Sequence, residues 1–273
     1  MLQKSASSRK WERLSPTISV VTIAKNHAVG LIHTLESLLS QSFQNWESII
    51  VVGESIDETL SIAEEFEKRD ARIKFVRQLD SGIYEAMNLG IYEASTESMY
   101  INFMNAGDSF YETETLAKLV MIANLEKVGL IIGGYKVKDS ETLYQQKQGN
   151  LADYRFTFSR RNGCHQSMIY SIQAVLDVGA YNTKYRLAAD HDLTLKILAH
   201  AGGKKAEFIV AEMEPGGLSD RSLTKLHNEK QAIRRHYFKN RPWVWLFGFI
   251  WQFAALFKIA LRSFLIGKKH PFG

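Results

Sequence analysis

Disulfides are excluded at the outset. The 273 residues hold one cysteine, Cys164, so neither an intramolecular bridge nor a Cys-based zinc site can form, and a reducing compartment is the natural setting. Proline is scarce as well, at 4, and glycine stops at 18, which excludes collagen-like and Pro-rich fibres. The opening stretch MLQKSASSRKWERLSP lacks the apolar centre of a secretory signal and reads as a polar lead-in over residues 1–16. The longest apolar run, Trp243 to Phe257, is 15 residues with Gln252 inside it, short of the roughly 20 that a spanning helix wants. What remains is ordinary: 45% hydrophobic and 23% charged, enough apolar matter to exclude wholesale disorder. At roughly 150 residues per domain, the length suits one large domain or a domain plus an appendage.

The net charge of +5 is unevenly placed. From Lys225 to Gly273 there are ten Lys/Arg and one acid, Glu229, for +9; the rest has 24 bases and 28 acids, for −4. A nucleic-acid binder carries basic stripes on its main domain, so no nucleic acid is expected. A slightly acidic body with a basic, aromatic tail points to anionic lipid, met through residues 225–269. Within Trp243–Ile266 stand Trp243, Trp245, Phe247, Phe249, Trp251, Phe253, Phe257 and Phe264. Lys258 and Arg262 are four apart and share a helical face. Aromatics on one side and cations on the other suit an amphipathic helix lying in the membrane interface. A core-packing helix, or a short spanning or re-entrant helix with snorkelling lysines, would use the same residues.

Along the body, short β-branched runs alternate with helical spacings. Thr17–Ile23, Glu47–Gly53, Arg72–Val76 and Ser98–Met104 read as buried strands. Between them Ala28–Ser40, Asp57–Lys68 and Ile83–Ala94 read as helices. This alternation predicts an α/β fold with a Rossmann-like, mostly parallel sheet flanked by helices. Ligands then bind beyond the carboxyl ends of the strands. The second half is less regular, with helices expected at Thr113–Leu125, Asp190–Ala201 and Asp220–Lys239, and strands at Leu130–Gly134, Cys164–Tyr170 and Glu207–Met213.

Five short stretches could carry chemistry. NAGD (Asn105–Asp108) puts a carboxylate after a strand, where it can hold a hard cation against phosphate oxygens. DSGIYEAMNLG (Asp80–Gly90) opens a helix whose free N–H groups favour an anion. AADHDL (Ala188–Leu193) places Asp190 at a helix start, as a general base or as an N-cap. His165 and Gln166 follow Gly163 and Cys164. PGGLS, with Arg221 and Lys225 after it, could close over a diphosphate. Taken singly, each is also a common turn, cap or linker.

In order and spacing they resemble glycosyltransferase family 2, particularly its exopolysaccharide branch, including colanic-acid transferases. The resemblance runs from about Ile18 to Ser219 and is carried by ISVVTIAKN, ESIDET, DSGIYEAMNLGI, INFMNAGD, HQSMIY, AADHDL and GGLS. It implies a GT-A fold and an inverting transfer from a nucleotide-diphosphate sugar to a hydroxyl of a saccharide or lipid-linked acceptor, in surface polysaccharide synthesis. Asp108 matches the last acid of the metal motif and would hold Mg or Mn. Asp190 matches the catalytic base. Thr22, Asp80 and Asn88 match the nucleotide site, with Glu54, Asp57, Ser81, Gly82 and Asn105 on the same donor side. His165, Gln166, Gly216, Gly217 and Arg221 would border the donor phosphates or the acceptor. The implied division is a transferase domain over 17–219, with a nucleotide half at 17–108 and an acceptor half at 109–219, followed by a tail over 220–273. The implied location is cytoplasmic, peripheral on the inner face of the cytoplasmic membrane. Two departures stand out: Gly53 ends the second strand where the family usually has an Asp, and Asn105 and Gly107 stand where acids are frequent. They favour, as rivals, an inactive membrane-associated scaffold on the same fold. A nucleotidyltransferase would want a Gly-rich phosphate loop after the first strand, which AKNHAVG does not provide.

Overall fold

The computed structural model describes residues 16–79, 82–138, 143–144, 149–150, 164–215 and 222–240. Residues 1–15 of the lead-in, Asp80, Ser81, Gly216, Gly217, Arg221 and the segment 241–273 lie outside the described residues.

The first half alternates as its sequence predicts. β1 (Ile18–Ala24), β2 (Trp46–Gly53), β3 (Ile73–Gln78) and β4 (Tyr100–Phe103) are interleaved with α1 (Ala28–Leu39), α2 (Thr59–Arg69) and α3 (Ile83–Glu93). β1 pairs in parallel with β2 and with β4, and β2 with β3. The strands are rich in Val and Ile because both faces are covered. Side chains alternate across the strand, so Ile18 and Val20 point to the α1/α2 side while Val21 points to the α3 side. Leu31, Leu35 and Leu38 of α1 form the stripe that packs on the first side. On the other, α3 comes close: a Cβ on Gly90 would run into the Val21 side chain.

The second half continues with β5 (Ser109–Phe110), α4 (Thr115–Glu126), β6 (Leu130–Val137), β7 (Leu143–Tyr144) and β8 (Gly149–Asn150). After a 3-10 turn at His165–Ser167 come β9 (Met168–Ser171), α5 (Ile172–Asp177), α6 (Ala189–Ala201), β10 (Gly203–Met213) and α7 (Leu223–Tyr237). The sheet order is β3-β2-β1-β4-β9-β6-β10-β5, with β7 on β6 and β8 on β10. Here the sequence reading misses two things. Cys164–Tyr170 is not a strand throughout: His165–Ser167 turns first. And β9 runs antiparallel between β4 and β6, both of which point the other way. The reversal of β9 matters for the site, because it delivers the residues before it to the carboxyl end of β4. α7 is amphipathic, and Ile233 and the following Phe238 join the core beneath α3 and α6. Among the described residues no helix is long and apolar enough to cross a membrane.

Candidate active site

The Asn105–Asp108 turn follows β4 and is tied from within. The Asp108 N–H donates to the Asn105 carbonyl at 3.0 Å. Gly107 sits at φ +100, a region that suits glycine, and a Cβ there would meet the side chains of Glu214 and His27. Thr34 of α1 locks the turn from below. Its hydroxyl lies 2.6 Å from the Asp108 carbonyl and accepts the Gly107 N–H at 3.0 Å. Above, His27 Nε2 and Glu214 Oε2 meet at 2.6 Å, joining the start of α1 to the end of β10.

The Asp108 carboxylate is buried, 5% exposed. Oδ2 accepts from Gln166 Nε2 at 2.6 Å and Oδ1 from the Glu214 backbone N–H at 2.8 Å. Burial raises its pKa, opposed by these two hydrogen bonds. Beside it, Asn105 Oδ1 and Gln166 Oε1 are buried oxygens without a hydrogen-bond partner. Such atoms are costly to leave unmet. An oxygen-only set of this kind suits a hard cation. Among the described residues no three of His, Cys, Asp and Glu converge as a metal cage. A cation on Asp108 would therefore complete its shell with phosphate oxygens and water, as Mg does with nucleotides.

His165 joins this turn to the second acid. Its Nε2 lies 3.1 Å from Asn105 Nδ2 and its Nδ1 lies 4.0 Å from Asp190 Oδ2. With the amide donating, Nε2 accepts, so Nδ1 carries the proton toward Asp190. Asp190 is the second residue of α6, whose N-cap is Ala188 with no side-chain cap. The capping role open to Asp190 from sequence is thus not the one it takes. Its Oδ1 lies 3.4 Å from the Tyr84 hydroxyl. Burial pushes its pKa up, but the neighbouring His165 imidazole, whose Nδ1–H faces it, and Lys230 hold it down at about 2. Asp190 is therefore ionised across the physiological range.

The structure thus gathers Asn105, Asp108, His165, Gln166 and Asp190 into one cluster. Other expected donor-side residues are placed differently. Thr22 is fully buried within β1, its hydroxyl unpartnered. Asn88 brackets the Tyr181 backbone, with Nδ2 to the carbonyl and Oδ1 to the N–H, each at 2.9 Å. Asp57 accepts from Thr59 N–H at 3.0 Å, from the Thr59 hydroxyl at 2.6 Å and from Ala28 N–H at 3.2 Å, so it fastens two helix starts. The Thr59 hydrogen bond lowers its pKa. Glu54 is exposed after β2, and Gly82 is the N-cap of α3. Two residues of the cluster's surroundings went unnoticed in the sequence. Thr34 is one, and a hydroxyl on an otherwise leucine stripe was its signal. Tyr84 is the other; it stacks on Tyr181, ring centroids 5.3 Å apart, which Asn88 holds.

Known proteins decide the family. The profile described as Glycosyl transferase family 2 matches residues 19–183. The chain belongs to glycosyltransferase family 2. It is a glycosyltransferase enzyme with a GT-A fold. A protein of Mycobacterium tuberculosis named as a PGL/p-HBAD biosynthesis glycosyltransferase is 31% identical over 216 residues, covering 77% of this chain and 82% of the relative. An uncharacterised glycosyltransferase of Bacillus subtilis, EpsJ, is 29% identical over 134 residues, 49% of this chain and 38% of the relative. The crystal structure of S. aureus TarS 1-349 in complex with UDP-GlcNAc superposes with a TM-score of 0.65 at 15% identity, covering 80% of this chain and 66% of that one. The Pyrobaculum calidifontis mannosyltransferase PcManGT, in complex with GDP-Man and Mn2+, gives 0.63 at 15% identity, covering 89% of this chain and 76% of that one. At that identity the likeness speaks for the fold.

Proposed function

We propose that this family 2 enzyme transfers a sugar from a nucleoside-diphosphate sugar to a hydroxyl of a saccharide acceptor, with inversion, at a membrane surface. The observation that carries this reading is the His165 bridge. Through Asn105 it links the turn that carries the strand-end acid, Asp108, to the helix-start acid, Asp190, and this supports a shared site.

In this reading Asp190 accepts the proton of the acceptor hydroxyl. The hydroxyl oxygen bonds to the anomeric carbon as the bond from that carbon to the diphosphate oxygen breaks, and the diphosphate departs. A single displacement inverts the anomeric centre. A carboxylate held at about 2 is a weak base, so it takes the proton late, once attack has made the hydroxyl acidic. Asp108 would hold a divalent cation, Mg or Mn, with Asn105 and Gln166 turning amide oxygens toward it. That ion would supply Lewis-acid stabilisation to the diphosphate. Bound UDP, UDP-GlcNAc and GDP-Man with Mn2+ in the structural neighbours support such a donor and such an ion. Asp80, Ser81, Gly82 and Glu54 are proposed for the base and ribose, and Gly216, Gly217 and Arg221 for the phosphates. Asp57 would act there through the two helix starts it fastens, while Asn88 and Thr22 would belong to the frame behind the site. The acceptor is proposed to be lipid-linked, in surface polysaccharide synthesis, because residues 225–269 are basic and aromatic. The proposed place is the cytoplasmic face of the membrane, where nucleotide sugars are made.

Calorimetric titration of UDP and GDP, with and without Mn2+, into the wild type and Asp108→Asn tests the donor site. Metal-dependent binding lost in the variant is the expected result. A folded protein that binds neither nucleotide would overturn the reading in favour of an inactive scaffold. The anomeric configuration of a product, read by NMR, tests inversion. Vesicle co-sedimentation of the full chain against a chain ending at Asn240 tests the tail.

A further inference from the structure

The loop that leads into Asp190 is held by a residue far along the chain. Glu229 lies in the middle of α7. Its Oε1 accepts the Arg186 N–H at 3.0 Å, and its Oε2 accepts the N–H groups of Leu187 at 2.8 Å and Ala188 at 2.9 Å. Three consecutive backbone donors thus converge on one carboxylate. Ala188 is the N-cap of α6, and Asp190 follows two residues later. The carrier is itself anchored, since Ile233 is 0% exposed and the following Phe238 5%. The same loop reaches toward the donor side. Arg186 Nη1 donates to Glu85 Oε1 at 2.7 Å, and Glu85 stands in the first turn of α3. The last described helix, the loop before Asp190 and the start of α3 are therefore one connected strap.

We propose that Glu229 is a positioning residue for transfer: by gathering the N–H groups of Arg186, Leu187 and Ala188 it fixes where α6 starts, and so where Asp190 stands against His165 and Tyr84. The inference rests on the reading of Asp190 as the base. It makes the basic C-terminal helix part of the active site's frame. The chemistry is specific enough to separate side chains. A glutamine can keep one oxygen in the Oε2 place and still accept from Leu187 and Ala188, but its Nε2 then faces the Arg186 N–H, donor against donor. An aspartate keeps the charge but is one methylene too short to reach all three donors.

The test compares Glu229→Ala, Glu229→Asp and Glu229→Gln with Asp190→Asn in the full chain. Nucleoside-diphosphate release is followed from UDP-GlcNAc and from GDP-mannose, with Mn2+ and a panel of alkyl glycosides as acceptors. Nucleotide affinity is measured calorimetrically, and amide exchange at Leu187 and Ala188 by NMR. A misplacement of about 1 Å at a reacting group costs on the order of 100-fold in rate. The expected result is a kcat loss of that size in the Ala and Asp variants, with nucleotide Kd within about twofold of wild type and faster exchange at both amides; Gln recovers most of the rate. Folded Ala and Asp variants that turn over like the wild type would overturn the proposal. So would parallel losses in kcat and nucleotide binding, which mark general destabilisation. If Ala does not fold, the Asp and Gln pair carries the same comparison. Wild-type turnover by Asp190→Asn would sink the base assignment instead, while amide exchange would still report whether Glu229 holds the loop.

Discussion

The two turns that carry the acids are built in opposite ways. The Asn105–Asp108 turn is fixed by neighbours at its own strand end: the Thr34 hydroxyl, the left-handed Gly107 and the Glu214 N–H. The loop into Asp190 is fixed from a distance, by Glu229 on a helix that follows the rest of the described sheet and helices. Their charges diverge as well. Burial raises the pKa of Asp108, whereas His165 and Lys230 outweigh burial at Asp190. A reluctantly ionised carboxylate in a closed turn suits a cation site that fills with substrate, and a fully ionised one at a helix start suits a proton acceptor.

The contrast predicts a ladder of effects. At the top, Asp190→Asn should lower kcat by roughly 10²–10⁴, the usual weight of a general base, with nucleotide affinity unchanged by calorimetry. Gly107→Ala should come next: the added methyl meets Glu214 and His27 at a φ of +100. Strain of this kind is on the order of 1–3 kcal/mol, and Mn2+-dependent nucleotide binding should weaken while Asp190 is undisturbed. Thr34→Val takes the hydroxyl donor from the Asp108 carbonyl, while the Gly107 N–H keeps the Gly30 carbonyl. Leaving buried polar groups unmet costs about 1–3 kcal/mol, to be read as a fall in the chemical-denaturation midpoint. Asn88→Ala should lose a similar 1–3 kcal/mol through the Tyr181 bracket, with nucleotide Kd unmoved; a large change in that Kd would instead show direct contact with the donor.

The same contrast explains what the sequence disclosed. Strand and helix periods in the first half are local, so β1 to β4 and α1 to α3 were legible within a residue or two. Asp108 was legible too, because its turn follows its strand directly. The cluster itself was not. It depends on β9 running antiparallel beside β4, a pairing between residues about seventy apart that leaves no mark in the periodicity of either segment. Asn88 was legible as a polar residue on α3 and Asp57 as one before α2, but what they hold, the Tyr181 backbone and two helix starts, exists only once the chain is folded. Glu229 was visible as the one acid in a basic segment. Its three acceptor bonds reach residues some forty positions earlier, and no local pattern announces them.

The smallest effect is the sharpest test of the charge contrast. An acid whose pKa drops on folding contributes stability above its unfolded value, and that contribution disappears as the pH falls through the folded value. For Asp190 the window runs from the ordinary 3.8 down to about 2. At 1.36 kcal/mol per unit that is roughly 2 kcal/mol. The side chain is 34% exposed, and solvent screening reduces the figure to ~1 kcal/mol. Asp190→Asn should therefore flatten the loss of unfolding free energy between pH 4 and pH 2, followed by urea denaturation. Asp108 has the opposite sign. Its folded pKa is raised, so its ionised form opposes folding at neutral pH, and the opposition lifts as the pH falls through the folded value. Asp108→Asn should be at least as stable as the wild type at pH 7, with its advantage shrinking in acid. Two variants that moved with pH in the same direction would break the contrast between the two turns.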